Sequence, residues 1–153
     1  MNAIGIRVSP QIIYYALANE EERAFTTKVL NVPKALDTPE CLAFIRTTML
    51  TIIGQFDVQR AGIRVYEGNT QYMDRFRMNV EGVVQELLAN STVERHFTGT
   101  KKSIASRLQL TETDVKQILE GHLQIPGVND PQWATYKLEQ RESILTAFAA
   151  LQL

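Results

Sequence analysis

Arg60-Ala61-Gly62-Ile63-Arg64-Val65-Tyr66-Glu67-Gly68 reads as a β-strand that ends in a carboxylate at a glycine-marked turn. An acid at the C-terminal end of an inner strand stands where open α/β sheets place their sites. The opening run Ala3-Ile4-Gly5-Ile6-Arg7-Val8 is short and mostly apolar, as a buried inner strand should be, and suits a parallel neighbour of that stretch. The corresponding position near its end is Arg7, a cation. The contrast between Glu67 and Arg7 frames every functional reading.

Working outward, the N-terminal third reads as a three-stranded antiparallel meander. After residues 3–8, Ser9-Pro10 signals a turn, since proline cannot donate to a central ladder. Residues 11–19 are rich in β-formers, and residues 23–32 alternate after the polar turn Asn19-Glu20-Glu21-Glu22. Thr38-Pro39-Glu40 reads as an N-cap, a first-turn proline and a first-turn acid, so a helix is expected from Thr38 to Gly54. It leads into the strand ending at Glu67, which gives a strand–helix–parallel strand crossover. A long helix over 72–90, a fifth strand over 92–98 and short helices over 100–108 and 111–120 follow. Pro126-Gly127 lies in a loop, and Asp130-Pro131 is read as the start of a last helix running to about Leu151.

The 153 residues carry a net charge of −1, no cysteine pair and no long apolar run. One domain spanning 1–153 is expected, burying roughly 70% of its unfolded surface. No run reaches the roughly 18 apolar residues of a membrane span. The N-terminus lacks the basic flank and apolar core of a signal peptide, so the expected location is cytoplasmic. The lone Cys41 excludes an internal disulfide and reads as packing. The near-neutral balance excludes strong general affinity for nucleic acid, so such binding needs a local basic patch.

Three antiparallel strands, then helix, strand, helix, strand and closing helix is the element order of the RNase H-like fold. It implies a five-stranded mixed sheet of order 3-2-1-4-5 with helices on both faces. Ala3 to Ser9 resembles the first strand of RuvC-type junction resolvases, which read Gly-Ile-Asp-Pro-Gly there. Val65-Tyr66-Glu67 resembles their second acidic strand. The segment from Thr98-Gly99-Thr100-Lys101-Lys102 through Val115-Lys116 resembles their lysine-containing stretch. Glu139 and Glu142, followed by an Ala- and Leu-rich run, are similar to their closing helix and to that of a group of uncharacterised bacterial proteins with a degenerate site.

The resemblance implies a choice between two functions. A divergent endonuclease acting on branched or structured nucleic acid would hold Mg2+ or Mn2+ on Glu67, with Glu139, Glu142 and Glu81 completing the carboxylate set. A non-catalytic domain would instead pair Arg7 with Glu67, since a guanidinium cannot ligate a metal. No cofactor is expected in that case, and the former active-site face would bind DNA or RNA weakly through Arg7, Lys101, Lys102 and Arg107. A protein partner or a homodimer is the other kind of occupant. Arg7 favours the non-catalytic reading. In that reading Glu139 and Glu142 are solvated helix-surface acids, while Arg141 shares a helix face directed at the sheet beside Glu67.

Other motifs are weaker. Residues 103–119 resemble a helix-turn-helix, with Ala105, Leu108, Val115 and Ile118 at packing positions and Gln109 where a glycine is usual. Gly99 to Ser103 looks like the tail of a phosphate loop lacking its earlier glycine. Arg75 and Arg77 with Tyr72 and Phe76 place cations and aromatics near the site end of a helix. His96 and His122 lack partners at metal spacing, and no serine sits in a nucleophile elbow.

Overall fold

The computed structural model of the chain describes residues 1–65, Glu67 and 74–153. Strands β1 (Asn2–Ser9), β2 (Ile12–Asn19) and β3 (Ala24–Asn31) form the meander. Helix α1 (Thr38–Gln55), strand β4 (Val58–Arg64), helix α2 (Arg75–Ala89) and strand β5 (Arg95–Gly99) follow. Helices α3 (Lys101–Leu108), α4 (Glu112–Leu119) and α5 (Leu138–Ala150) complete the order. The sheet order is β3-β2-β1-β4-β5, with β1 antiparallel to β2 and parallel to β4. This is the expected RNase H-like arrangement.

The sheet separates two cores. On one face α1 and α2 cover Ile4, Ile6, Val8 and Ile63 with Ile45, Met49, Val80 and Leu87. On the other, Phe97 shares a core with Ile104, Val115, Ile118, Ile144 and Phe148 of α3, α4 and α5 and with Trp133 between α4 and α5. Every residue of α5 from Arg141 to Ala150 is buried, so this is a central helix packed on all sides. Its approach to the sheet depends on two glycines. A Cβ on Gly5 would lie 2.1 Å from the Ser143 carbonyl oxygen and 2.3 Å from the Ala147 nitrogen. A Cβ on Gly62 would meet Phe97 at 2.5 Å and Thr146 at 2.8 Å. No helix of the described residues is long and apolar enough to cross a membrane.

Several boundaries differ from the sequence reading, each for a local reason. Asp37, rather than Thr38, caps α1, its carboxylate accepting from the Glu40 N–H at 2.9 Å. Strand β4 ends at Arg64, three residues short of Glu67. Asp74 caps α2 by accepting from the Arg77 N–H at 3.1 Å, so the helix starts at Arg75, and the expected start at Tyr72 lies outside the described residues. The last helix starts at Leu138 instead of Pro131. Asp130 holds a turn there, accepting from the Gln132 N–H at 2.9 Å and the Tyr136 hydroxyl at 2.6 Å, and residues Trp133–Thr135 form a 3-10 turn.

Candidate functional site

The sequence Gly-Ile-Arg-Val occurs twice, and strands β1 and β4 set its Gly-Ile-Arg parts side by side. Gly5 is in register with Gly62, and Arg7 with Arg64. Side chains alternate along a strand, so both glycines and both arginines face α5. Since α5 sits down on the glycines, the residue one turn before Thr146 arrives between the arginines. That residue is Glu142. Its Oε2 lies 3.1 Å from Arg7 Nε and 3.0 Å from Arg64 Nε. The Arg7 contact is an aligned hydrogen bond, whereas Arg64 Nε has charge contact without donor alignment.

Arg64 extends the network to the next loop. Its Nη2 donates to Glu67 Oε2 at 2.9 Å, and its Nη1 donates to the carbonyls of Val65 and Gly99 at 3.0 and 3.1 Å. The other Glu67 oxygen accepts the Lys101 backbone N–H at 3.2 Å. Glu67 therefore occupies the N-terminal end of α3, where free N–H groups favour an anion. Arg7 also donates through Nη1 to the Val8 carbonyl and, at 3.3 Å, to the Ser9 hydroxyl. Nearby on α2, Arg77 pairs with Glu81 at 2.9 Å.

Burial decides how these charges behave. Burial lowers the Arg7 pKa, opposed by Glu142 and assisted by Arg77. Burial alone would raise Glu67, but Arg64 and the Lys101 N–H together hold its carboxyl below the ordinary range. Arg64, Glu81 and Glu142 are all buried. Buried charges persist when paired and hydrogen-bonded, and each acid of this group has its own guanidinium.

The structure joins some of the expected residues and separates others. Arg7 pairs with Glu142, which corrects the expected Arg7–Glu67 pair; the guanidinium facing Glu67 is that of Arg64. Glu142 is 6% exposed, so it is not the solvated surface acid that helix periodicity suggested. Glu139 is half-buried one turn earlier and adds a favourable charge beside Arg7. Arg141 points away from the sheet and donates to the carbonyls of Leu119, at 2.7 Å, and Tyr136. It ties α4 and the 3-10 turn to α5. Lys101 and Lys102 are exposed at the start of α3, while Arg107 lies 4.6 Å over the Phe97 ring. Arg64 is the member of the site that sequence reasoning missed. The repeated Gly-Ile-Arg-Val carried the signal, since a parallel pair in register puts equal letters side by side.

Residues 103–119 fall on two short helices, and Gln109 turns the chain between α3 and α4 in the left-handed conformation, φ 56° and ψ 41°. The first turn of α4 carries Glu112 and Asp114, which oppose entry into a phosphate-lined groove.

No protein-family model and no curated sequence matches the chain. The structure is similar to Thermus thermophilus RuvC, with a TM-score of 0.66 over 99% of this chain and 94% of that one, at 12% identity. It is also similar to T. thermophilus RuvC in complex with Holliday junction substrate, with a TM-score of 0.64 over the same shares, at 11% identity. The likeness defines the class: the chain has the RNase H-like α/β fold in the arrangement seen in RuvC. Among the described residues, no three His, Cys, Asp or Glu side chains converge as a metal-ligand group.

Proposed function

We propose that this chain is a non-cleaving RNase H-like domain, with a degenerate site, that binds nucleic acid through the sheet end where β1, β4, α3 and α5 meet. The observation that carries the reading is the Arg7–Glu142–Arg64–Glu67 network. The fold family implies divalent metal at this end of the sheet, and the residues here do not fit one. A metal pair needs carboxylate oxygens free to share and no competing cation. Glu142 and Glu67 are each held by guanidinium, and Arg7 and Arg64 project positive charge into the same space. A guanidinium has no lone pair to give a metal and no accessible proton to lose.

The ligand class follows from what lines the rim. Lys101 and Lys102 stand exposed beside the network, and a structural relative is solved with a nucleic-acid substrate. Phosphate contact through such lysines is sequence-independent and salt-sensitive. Two assays on the purified protein test the reading. Incubation with branched, duplex and single-stranded DNA in Mg2+ or Mn2+ should leave every substrate intact. Titration of labelled oligonucleotides at low salt should show weak binding that Lys101→Gln/Lys102→Gln reduces. Metal-dependent cleavage that disappears in Glu67→Gln would restore the endonuclease reading. Absence of binding to any DNA or RNA would leave a protein partner, or a second copy of the chain, as the occupant of this face.

A further inference from the structure

The chain is nearly neutral, yet its charges are segregated. Strands β4 and β5 and helix α3 carry Arg60, Arg64, Arg95, Lys101, Lys102 and Arg107, and not one Asp or Glu. Since the whole chain nets −1, the remainder is strongly acidic. A net charge near zero thus hides one cationic flank, and it is the local field that steers a polyanion.

The strand register orders these cations. Arg60 pairs with Arg95, Gly62 with Phe97 and Arg64 with Gly99. Phe97 faces the α3–α5 core, so alternation places Arg95 and Gly99 on the same side. Along that side of the outermost strand, Arg95 stands exposed at one end and Arg107 lies over Phe97 in the middle. Lys101 and Lys102 follow Gly99 at the other end. Arg60 anchors the Arg95 end by donating to the Leu151 carbonyl. Among the described residues no carboxylate pairs with Arg95, Lys101, Lys102 or Arg107, in contrast to Arg7, Arg64 and Arg77. Of the acids near the array, Glu94 is next to Arg95, Glu67 is spent on Arg64 and the Lys101 N–H, and Glu112 and Asp114 lie beyond the turn that ends α3.

We infer that the β5–α3 flank is a phosphodiester track, running from Lys101–Lys102 at the sheet end back along β5 to Arg95. From Arg95 to Gly99 is roughly 13 Å of strand, the axial rise of about four base pairs of duplex. A nucleic acid suits it better than a protein or membrane surface, because among the described residues the exposed large apolar side chains are Val29, Met78, Leu123 and Leu138, none of them on these elements. Arg107 supplies a planar cation held over the Phe97 ring. The inference rests on the nucleic-acid reading above and extends its contact surface by the length of a strand.

The test is fluorescence anisotropy of the full chain with a labelled single strand and a labelled duplex, across a series of salt concentrations. Each variant is first checked for an unchanged melting temperature. Arg95→Gln, at an exposed strand start far from the lysines, should weaken binding. It should flatten the log–log salt slope by about 0.7 on single strands and about 0.9 on duplex. Glu94→Gln should strengthen binding, and Lys34→Gln, in the loop after the opposite edge strand, should change nothing. If Lys101→Gln/Lys102→Gln weakens binding while Arg95→Gln and Glu94→Gln leave it unchanged, the sheet-end reading stands and the track is wrong. If the wild type binds neither probe at low salt, both fall together.

Discussion

Arg7 and Arg64 are register partners on adjacent parallel strands, and both set a guanidinium nitrogen within 3.1 Å of one oxygen, Oε2 of Glu142. Two like charges this close persist only because the carboxylate lies between them. Removing it exposes their repulsion in a site almost closed to water. Glu142→Gln should therefore destabilise the fold by about 3–5 kcal/mol, the usual cost of leaving a buried charge uncompensated. Arg7→Met should cost less, since Arg64 still neutralises Glu142. Urea denaturation of the two variants tests the ordering, and an Arg7→Met loss equal to or larger than that of Glu142→Gln would contradict it.

The sheet was legible because its strands are written in alternation and punctuated by turns, and the crossover between β1 and β4 follows from handedness. The site was less legible because its decisive contact is tertiary. Glu142 sits on a helix whose acid pair looks solvated, and only the closeness allowed by Gly5 and Gly62 buries it. With Glu67 as the expected strand end, Arg64 reads as a strand interior, whereas strand β4 stops at Arg64 itself. Asp130 misled in the same way. Its carboxylate caps a turn and holds Tyr136, so a sequence resembling a helix start produced a 3-10 turn.

Acid should find the Glu67 contact first. Burial works against its ionised form, but Arg64 and the Lys101 N–H hold its pKa below the ordinary value. A carboxyl depressed in the folded state adds stability above its unfolded pKa and loses it as pH falls through the folded value. Wild-type protein should thus lose more stability than Glu67→Gln between about pH 5 and pH 3. Denaturant midpoints measured across that window would show it, and parallel curves would mean that the contact does not form.

At the opposite end of the scale, Tyr136 is pushed up to about 12 by burial and by Asp130. The folded state keeps its proton after the unfolded chain has lost its own, so the contribution is present below about pH 10. It disappears as pH rises through the folded value. Tyr136→Phe should remove this alkaline dependence, read as a smaller drop in melting temperature between about pH 9 and pH 11.

Gly5, packed against α5, and Gly82, exposed on α2, make opposite predictions. Gly5→Ala drives a methyl into the backbone of α5, which cannot yield as a side chain would, and should cost about 3 kcal/mol or more. A Cβ on Gly82, within α2, meets nothing within 4 Å. Gly82→Ala should therefore stabilise by about 0.5–1 kcal/mol through helix propensity alone. Thermal melts of both variants decide the matter. A tolerated Gly5→Ala would show that α5 stands further from the sheet than these contacts require.

The arginine network also makes a prediction about divalent cations. Arg7 and Arg64 bring two positive charges to Glu142 and Glu67, the charge one Mg2+ or Mn2+ would supply. A ligand that binds only the folded state raises its stability by RT ln(1 + [L]/Kd). With the guanidiniums in place, the carboxylate oxygens are engaged and an incoming cation is repelled, so millimolar Mn2+ should leave the wild-type melting temperature unchanged. Arg7→Gln/Arg64→Gln leaves Glu142 and Glu67 uncompensated, and the variant should melt lower in EDTA. Part of that loss should return on adding Mn2+, because the freed carboxylates then accept a cation from solution. Arg7→Gln alone should show little recovery, since Arg64 touches both acids. A clear Mn2+-dependent rise in the wild type, abolished in Glu67→Gln, would mean that the site accepts metal despite its arginines.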